Sequence, residues 1–274
     1  MKHKPRLGQN FLIDDAARHN IAAALGDISH RTLIEIGPGH GAITDILAPR
    51  AATLIAIELD PTLAAELTLR YASHPNIRIL NADILKTDLA TLLPPPESET
   101  EAIPTADVLG NLPYYITSDI LLHLFVAARS GLLARAVLMM QREVADRVAA
   151  PPGTSDFGML SATAQMHARI TNLFTLPPSA FSPPPEVHST VLRFDFAPRF
   201  TELDVQPDAF TAFLRSAFAQ KRKTLHNNLR HAGHSPAHIA AAWPSTIPPQ
   251  ARAESLPLES LAALHRALLQ THLS

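Results

Sequence analysis

The chain has 274 residues, 46% hydrophobic and 18% charged with a formal net charge of −2, a globular composition long enough for one large and one small domain. It holds no cysteine, which excludes disulfides, zinc–thiolate centres and a cysteine nucleophile. No window approaches the apolar length of a membrane helix, and the basic opening Met1-Lys2-His3-Lys4-Pro5-Arg6 lacks the apolar run of a secretory signal, so a cytoplasmic protein is expected.

A helix is expected over 14–25. Thr32-Leu33-Ile34-Glu35-Ile36 then reads as a buried parallel strand, and Gly37-Pro38-Gly39-His40-Gly41 as the turn that follows it. A second strand over 53–57 ends at Glu58, and Pro61, in a favoured first helical position, starts a helix reaching about Tyr71. Residues 77–80 make a short strand that ends near Asp83. The Pro- and Glu-rich stretch 94–104 reads as a surface loop. Val108-Leu109-Gly110 is a further strand, 118–128 a helix and 136–140 another strand. Strands alternating with helices imply an α/β fold, a parallel sheet with helices on both faces. Phe181-Ser182-Pro183-Pro184-Pro185-Glu186 is a rigid connector into an alternating strand over 190–196, near the edge of the sheet. Past Arg199 the strands stop, and segments 208–230, 235–242 and 257–272 look helical. The expected division is a domain of 1–198 followed by a small all-α domain of 199–274.

Two patterns carry chemistry. The glycine turn lets backbone pass close under a bound nucleoside, where any Cβ would obstruct. With Ala42 it also satisfies a dinucleotide fingerprint, so the turn alone does not choose between S-adenosylmethionine and a nicotinamide cofactor. Glu58, 21 residues after Gly37, stands where a carboxylate can chelate two ribose hydroxyls. Asp83, at the next strand end, can accept from an adenine amino group or cap a helix. The second pattern is Asn111-Leu112-Pro113-Tyr114, also at a strand's carboxyl end. Pro113 restricts its own φ and the shape of Leu112, so the Leu112 carbonyl and the Asn111 side-chain carbonyl can converge on an amine bearing two hydrogens. Tyr114 adds an aromatic face for a flat base. A tight turn with a buried Tyr is the plainer reading of the same four residues.

The small net charge hides segregation. Between 209 and 253 there is no Asp or Glu, while Arg215, Lys221, Arg222, Lys223, Arg230 and Arg252 all occur, and Lys2, Lys4 and Arg6 open the chain. Acids gather at Glu97, Glu99 and Glu101. A local phosphate-binding surface follows from such a distribution. His226, His231, His234 and His238 have no carboxylate or cysteine beside them in that region, so a metal site is not expected.

In this order the motifs resemble the ribosomal RNA adenine N6-dimethyltransferases of the KsgA type, over nearly the whole chain. Besides the glycine turn, Glu58, Asp83 and the 111–114 loop, the opening Lys4-Pro5-Arg6-Leu7-Gly8-Gln9-Asn10-Phe11-Leu12 is similar to the family's first segment. So are Met140-Gln141-Arg142-Glu143-Val144-Ala145-Asp146-Arg147, Phe181 to Val187, and Gln220-Lys221-Arg222-Lys223-Thr224-Leu225 to three later blocks. The resemblance implies a Rossmann-like class I methyltransferase sheet and S-adenosylmethionine as methyl donor, with no metal. Asn10, Leu12, Gly37, Glu58, Asp83 and Asn111 would hold the donor. Asn111, Leu112, Pro113 and Tyr114 would hold the target amine, with Phe181 on the base's other face. Lys221, Arg222, Lys223, Arg230, Arg142 and Arg147 would contact RNA. The implied reaction is N6,N6-dimethylation of two adjacent adenosines in a 3′-terminal hairpin loop of 16S rRNA, by a monomer acting during small-subunit biogenesis. Two positions depart from the family pattern: Tyr115 stands where many bacterial members carry Asn, and His188 where Asp is commoner. A nicotinamide-dependent oxidoreductase, a large-subunit rRNA adenine methyltransferase of the drug-resistance type, and an inactive RNA-binding assembly factor are the rival readings.

Overall fold

Apolar runs without alternation become strands buried on both faces. The computed structural model describes residues 10–93 and 105–271, so Lys2, Lys4, Arg6, the 94–104 stretch and its acids lie outside the described residues. The strands are β1 (Phe11–Leu12), β2 (Thr32–Ile36), β3 (Thr53–Glu58), β4 (Ile77–Asn81), β5 (Ala106–Asn111), β6 (Leu133–Gln141), β7 (Ala168–Leu176), β8 (Phe181–Ser182) and β9 (Ser189–Phe196). Seven form one sheet in the order β4-β3-β2-β5-β6-β9-β7. The first five run parallel, with Ile34 between Ile55 and Val108, and β9 joins β6 antiparallel.

Alternate strand residues point to opposite faces. Leu33, Leu54, Ala56, Leu109, Val137 and Met139 pack with Ile21, Ala22 and Leu47 of two helices, α1 (Asp15–Ala23) and α2 (Thr44–Leu47). The residues between them, Ile34, Ile55, Val108 and Leu138, are equally buried. On that second face lies α4 (Thr117–Arg129), which buries Ile120, Leu121, Leu124 and Phe125, with the Phe125 ring 6.3 Å from that of Phe194. Before it, α3 (Pro61–Arg70) starts as the sequence predicts: Pro61 takes the first turn and the Asp60 side chain accepts from the Thr62 amide at 2.8 Å.

The chain leaves β2 in one direction to build β3 and β4, then returns to place β5 on the other side of β2. That reversal opens a crevice at the carboxyl ends of β2 and β5, the topological switch point at which open α/β sheets bind ligands.

Two compact units result, and they differ from the expected 1–198 and 199–274. One comprises Met1–Ala145 with Arg169–Ala197, the other Asp146–Ala168 with Pro198–Ser274. Phe157, Ala162 and Met166, the last two on α6 (Met159–His167), share a core with Phe200, Phe210, Leu214 and Leu261, so burial pulls that excursion into the second unit. The helix α5 (Arg142–Ala149) precedes it and spans the first crossing. The second unit continues with α7 (Pro207–Ala217), α8 (Leu225–His231), α9 (Pro236–Ala242) and α10 (Leu258–Gln270). The expected continuous helix over 208–230 is therefore broken. Thr224 caps α8 by accepting from the Asn227 amide, and buried Asn228 donates to the carbonyls of Ala217 and Gln220 at 2.7 and 3.2 Å. These bonds satisfy the end of α7 and leave residues 219–224 as an exposed turn. The partly buried strand β7, at the edge of the sheet, was not expected from the sequence.

Candidate functional site

A cavity of about 260 Å³ opens at the crevice between β2 and β5 and brings together residues far apart in the chain: Asn10, Leu12, Gly37, Glu58, Asp83, and the whole 111–114 loop. The glycine turn forms its floor. Gly37, Gly39 and Gly41 all have positive φ, at 66°, 59° and 79°. Gly41 has a second constraint, since a Cβ there would stand 3.0 Å from both Leu67 and the Tyr71 hydroxyl. The turn is braced from outside by α3: Arg70 donates to the His40 carbonyl at 2.8 Å and pairs with Asp45, which also accepts from the Tyr71 hydroxyl at 2.6 Å.

Glu58 is 2% exposed and braces the turn from within. Its Oε2 accepts from the Gly39 amide at 3.1 Å and its Oε1 from the Asp60 amide at 2.9 Å. Burial pushes its carboxyl above the usual range, against the pull of those two amides. Each oxygen retains a lone pair, so anchoring the turn does not exhaust its capacity as an acceptor. Asp83 lines the cavity and also caps the short helix Ile84–Lys86 through a 3.0 Å bond from the Leu85 amide.

Glu35, in the sequence a member of the buried strand before the turn with no assigned role, has a place of its own in the structure. It is 2% exposed, lines the cavity, and accepts from the Thr44 hydroxyl at 2.7 Å; burial raises its carboxyl to about 7. A charged residue inside an otherwise apolar strand, directly before a glycine turn, was the available signal. The Asp45–Arg70–Tyr71 brace left no comparable trace, because it joins residues 25 and 26 positions apart.

The 111–114 loop continues β5. The Leu112 amide donates to the Met139 carbonyl at 2.9 Å, holding the loop in line with the sheet. The Asn111 Nδ2 donates to the Asn10 carbonyl at 3.2 Å. The Pro113 carbonyl is taken by the Ile116 amide and the Thr117 hydroxyl. Among the described residues, no hydrogen bond ends on Asn111 Oδ1 or on the Leu112 carbonyl. Tyr114 is half-buried, its hydroxyl 2.8 Å from Ser189 Oγ on β9, and burial raises its phenol so that it stays neutral.

Phe181 is not where the resemblance put it. Its ring is 2% exposed in the core with Leu12, Ala180 and Val191, and it does not line the cavity. The cause is the pairing of β1 with β8, in which Leu12 lies opposite Phe181 and Phe11 opposite Ser182. That small sheet in turn seats the front wall: Phe11 lies against the turn, its ring 4.5 Å from that of His40.

In the second unit, Lys221, Arg222 and Lys223 are exposed on the 219–224 turn and Arg230 is exposed on α8. Lys221 donates to the Ser155 carbonyl at 2.6 Å, whereas the side chains of Arg222, Lys223 and Arg230 have no partner among the described residues. Arg142 and Arg147 are exposed on α5. Among the described residues, no three His, Asp or Glu side chains are arranged to hold a metal, and no helix is long and apolar enough to cross a membrane.

The cavity's chemistry suits an adenosyl group: carboxylates at two successive strand ends, a close backbone turn of left-handed glycines, and apolar Leu59 and Ile84 between them. The comparisons agree. The ribosomal RNA adenine dimethylase model matches residues 1–268. The ribosomal RNA small subunit methyltransferase A of Acidobacterium capsulatum is 56% identical over 97% of this chain and 92% of its own, and that of Koribacter versatilis 49% identical over 97% and 94%. A dimethyladenosine transferase from Plasmodium falciparum shares the fold at a TM-score of 0.75, with 23% identity over 96% of this chain and 98% of that one. The 23S rRNA methyltransferase ErmE does so at 0.69, with 24% identity over 95% and 100%. On the full-length match and these identities, the chain belongs to the ribosomal RNA adenine dimethylase family.

Proposed function

We propose that this protein transfers methyl groups from S-adenosylmethionine to N6 of adenosine in small-subunit ribosomal RNA, dimethylating two adjacent adenosines of a 3′-terminal hairpin loop in 16S rRNA as a cytoplasmic monomer. The observation that carries this reading is the Asn111 side chain. Its amide nitrogen is already committed to the Asn10 carbonyl, so its oxygen and the Leu112 carbonyl are left as two acceptors beside an anchored aromatic ring. An exocyclic amine offers the two hydrogens that such a pair accepts.

Adenine N6 is a poor nucleophile because its lone pair is delocalised into the ring. Hydrogen bonds from its two hydrogens to Asn111 Oδ1 and the Leu112 carbonyl favour a pyramidal nitrogen with a localised lone pair. When bound, S-adenosylmethionine supplies a methyl group already activated on a sulfonium. The protein's part is positioning and preorganised electrostatics, and the proton leaves to water once the nitrogen is cationic. Tyr114 receives the base after it leaves the RNA stack. Glu58 holds the ribose hydroxyls with the lone pairs its two amides do not use, and Asp83 accepts from the donor's adenine. The exposed Lys221, Arg222, Lys223 and Arg230 contact RNA phosphates, as do Arg142 and Arg147.

The test is methyl transfer from labelled donor to undermethylated small subunits, with large subunits in parallel and the modified base mapped. Dimethyladenosine in the small subunit alone is the expected result. Label in the large subunit, or in neither, would refute the reading.

A further inference from the structure

The residue after the target loop is the feature that amine capture leaves unused. Tyr115 lines the mouth of the cavity yet is 64% exposed, the most exposed aromatic ring among the described large hydrophobics. It makes no hydrogen bond, ring contact or ion pair with any described residue. Its neighbour Tyr114 is half-buried and tied to Ser189, so two successive rings have opposite fates, one held inside and one held out.

The outer ring stands on a stiff base. The Pro113 carbonyl accepts from the Ile116 amide at 3.2 Å and the Thr117 hydroxyl at 2.9 Å, and α4 begins at Thr117 with the Ile120 amide bonded to the Ile116 carbonyl. The backbone that carries the ring is thereby fixed, so binding has only the side chain left to order, which lowers the cost of using it as a contact.

We infer that Tyr115 is a stacking platform for the nucleotide next to the captured adenine. This rests on the base-capture reading of the 111–114 loop. Withdrawing one base from a strand exposes a face of its neighbour and forfeits their mutual stacking. An aromatic face waiting at the cavity mouth restores a partner to that neighbour, and any base has the π-surface to use it. Tyr115 is thus a positioning residue that holds the flanking nucleotide while its neighbour reacts. For a substrate with two adjacent target adenosines, the residue held on Tyr115 is the second target.

The test uses the full chain and a hairpin-loop RNA with 2-aminopurine beside the target adenosine, comparing wild type, Tyr115→Ala and Tyr115→Trp. Tyr115 is exposed, so all three fold alike. In the wild-type and Trp complexes the fluorophore is quenched by stacking. In the Ala complex it is several-fold brighter, KM for RNA rises about tenfold, at the lower end of what one base–aromatic stack supplies, and the single-turnover rate at saturating RNA stays within about twofold. Equal quenching and unchanged KM in Tyr115→Ala overturn the inference. Asn111→Ala is measured in the same assay: if it reacts at the wild-type rate, the base-capture reading fails and this inference with it. If Asn111→Ala is impaired while Tyr115→Ala is indistinguishable from wild type, the platform alone is refuted.

Discussion

Replacing Glu35 with Gln should change how stability depends on pH, and the structure sets the size of the effect. The carboxyl is buried, is raised from 4.5 to about 7, and has one neutral donor, the Thr44 hydroxyl. A raised carboxyl pKa means the folded state resists ionisation that the unfolded chain allows. Below pH 4.5 both states are protonated and Glu35 contributes no pH-dependent term. Between 4.5 and about 7 the unfolded state binds fewer protons than the folded one, so unfolding free energy falls as pH rises; above about 7 the loss is complete. At 1.36 kcal/mol per pKa unit the full loss is about 3 kcal/mol. Gln keeps an oxygen for Thr44 and carries no charge, so the variant should lack this decline. Urea unfolding of both proteins at pH 5 and pH 8 gives four free energies. Part of the loss has already occurred by pH 5, so between the two pH values the wild type should lose about 2.5 kcal/mol more than Glu35→Gln, and groups remote from residue 35 cancel in the comparison. A difference between the proteins that is the same at both pH values would refute the buried, protonated state assigned to Glu35.

Glu58→Ala should weaken S-adenosylmethionine binding by about 2–3 kcal/mol and, because the Gly39 and Asp60 amides lose their acceptors, also lower stability by about 1–3 kcal/mol; calorimetry and unfolding together check both, and wild-type donor affinity would sink the ribose assignment. Reversing Lys221, Arg222 and Lys223 to Glu should flatten the salt dependence of RNA binding while donor affinity is retained; an unaltered slope would move the footprint elsewhere. Asn111→Ala should raise the barrier of the chemical step by about 2–4 kcal/mol, more than it costs RNA affinity. Single-turnover methylation at saturating donor and RNA isolates that step, and an unchanged rate would refute amine positioning.

The parallel half of the fold was legible largely because β2, β3 and β5 are short apolar runs ended by a glycine, an acid or an asparagine. Those end residues, Gly37, Glu58 and Asn111, also line the cavity, as does Asp83 just past β4, so one signal marked both the strands and the cavity lining. What escaped was set by partners remote in sequence. Phe181 precedes a proline run and reads as a free aromatic until β1 pairs with β8 and buries it. The excursion 146–168 has nothing local to mark it as part of the second unit; Phe157 and Met166 join that core through Phe200 and Phe210. The break between α7 and α8 depends on Asn228 reaching back to Ala217, which helical periodicity does not encode.

The pairing of β1 with β8 also has a temporal meaning. The front wall of the cavity comes from the first described residues, yet the strand that seats it lies beyond β7, and Asn10 meets Asn111 only across a separation of 101 positions. During synthesis the glycine turn can form as soon as β2 and β3 pair, but Phe11 and Leu12 have no strand to pair with until Phe181 and Ser182 have emerged. Contacts of such long sequence separation form slowly, because loop closure must precede their reward. The cleft is therefore completed late: a chain ending before residue 182 lacks the strand pairing that seats Phe11 and Leu12 at its front.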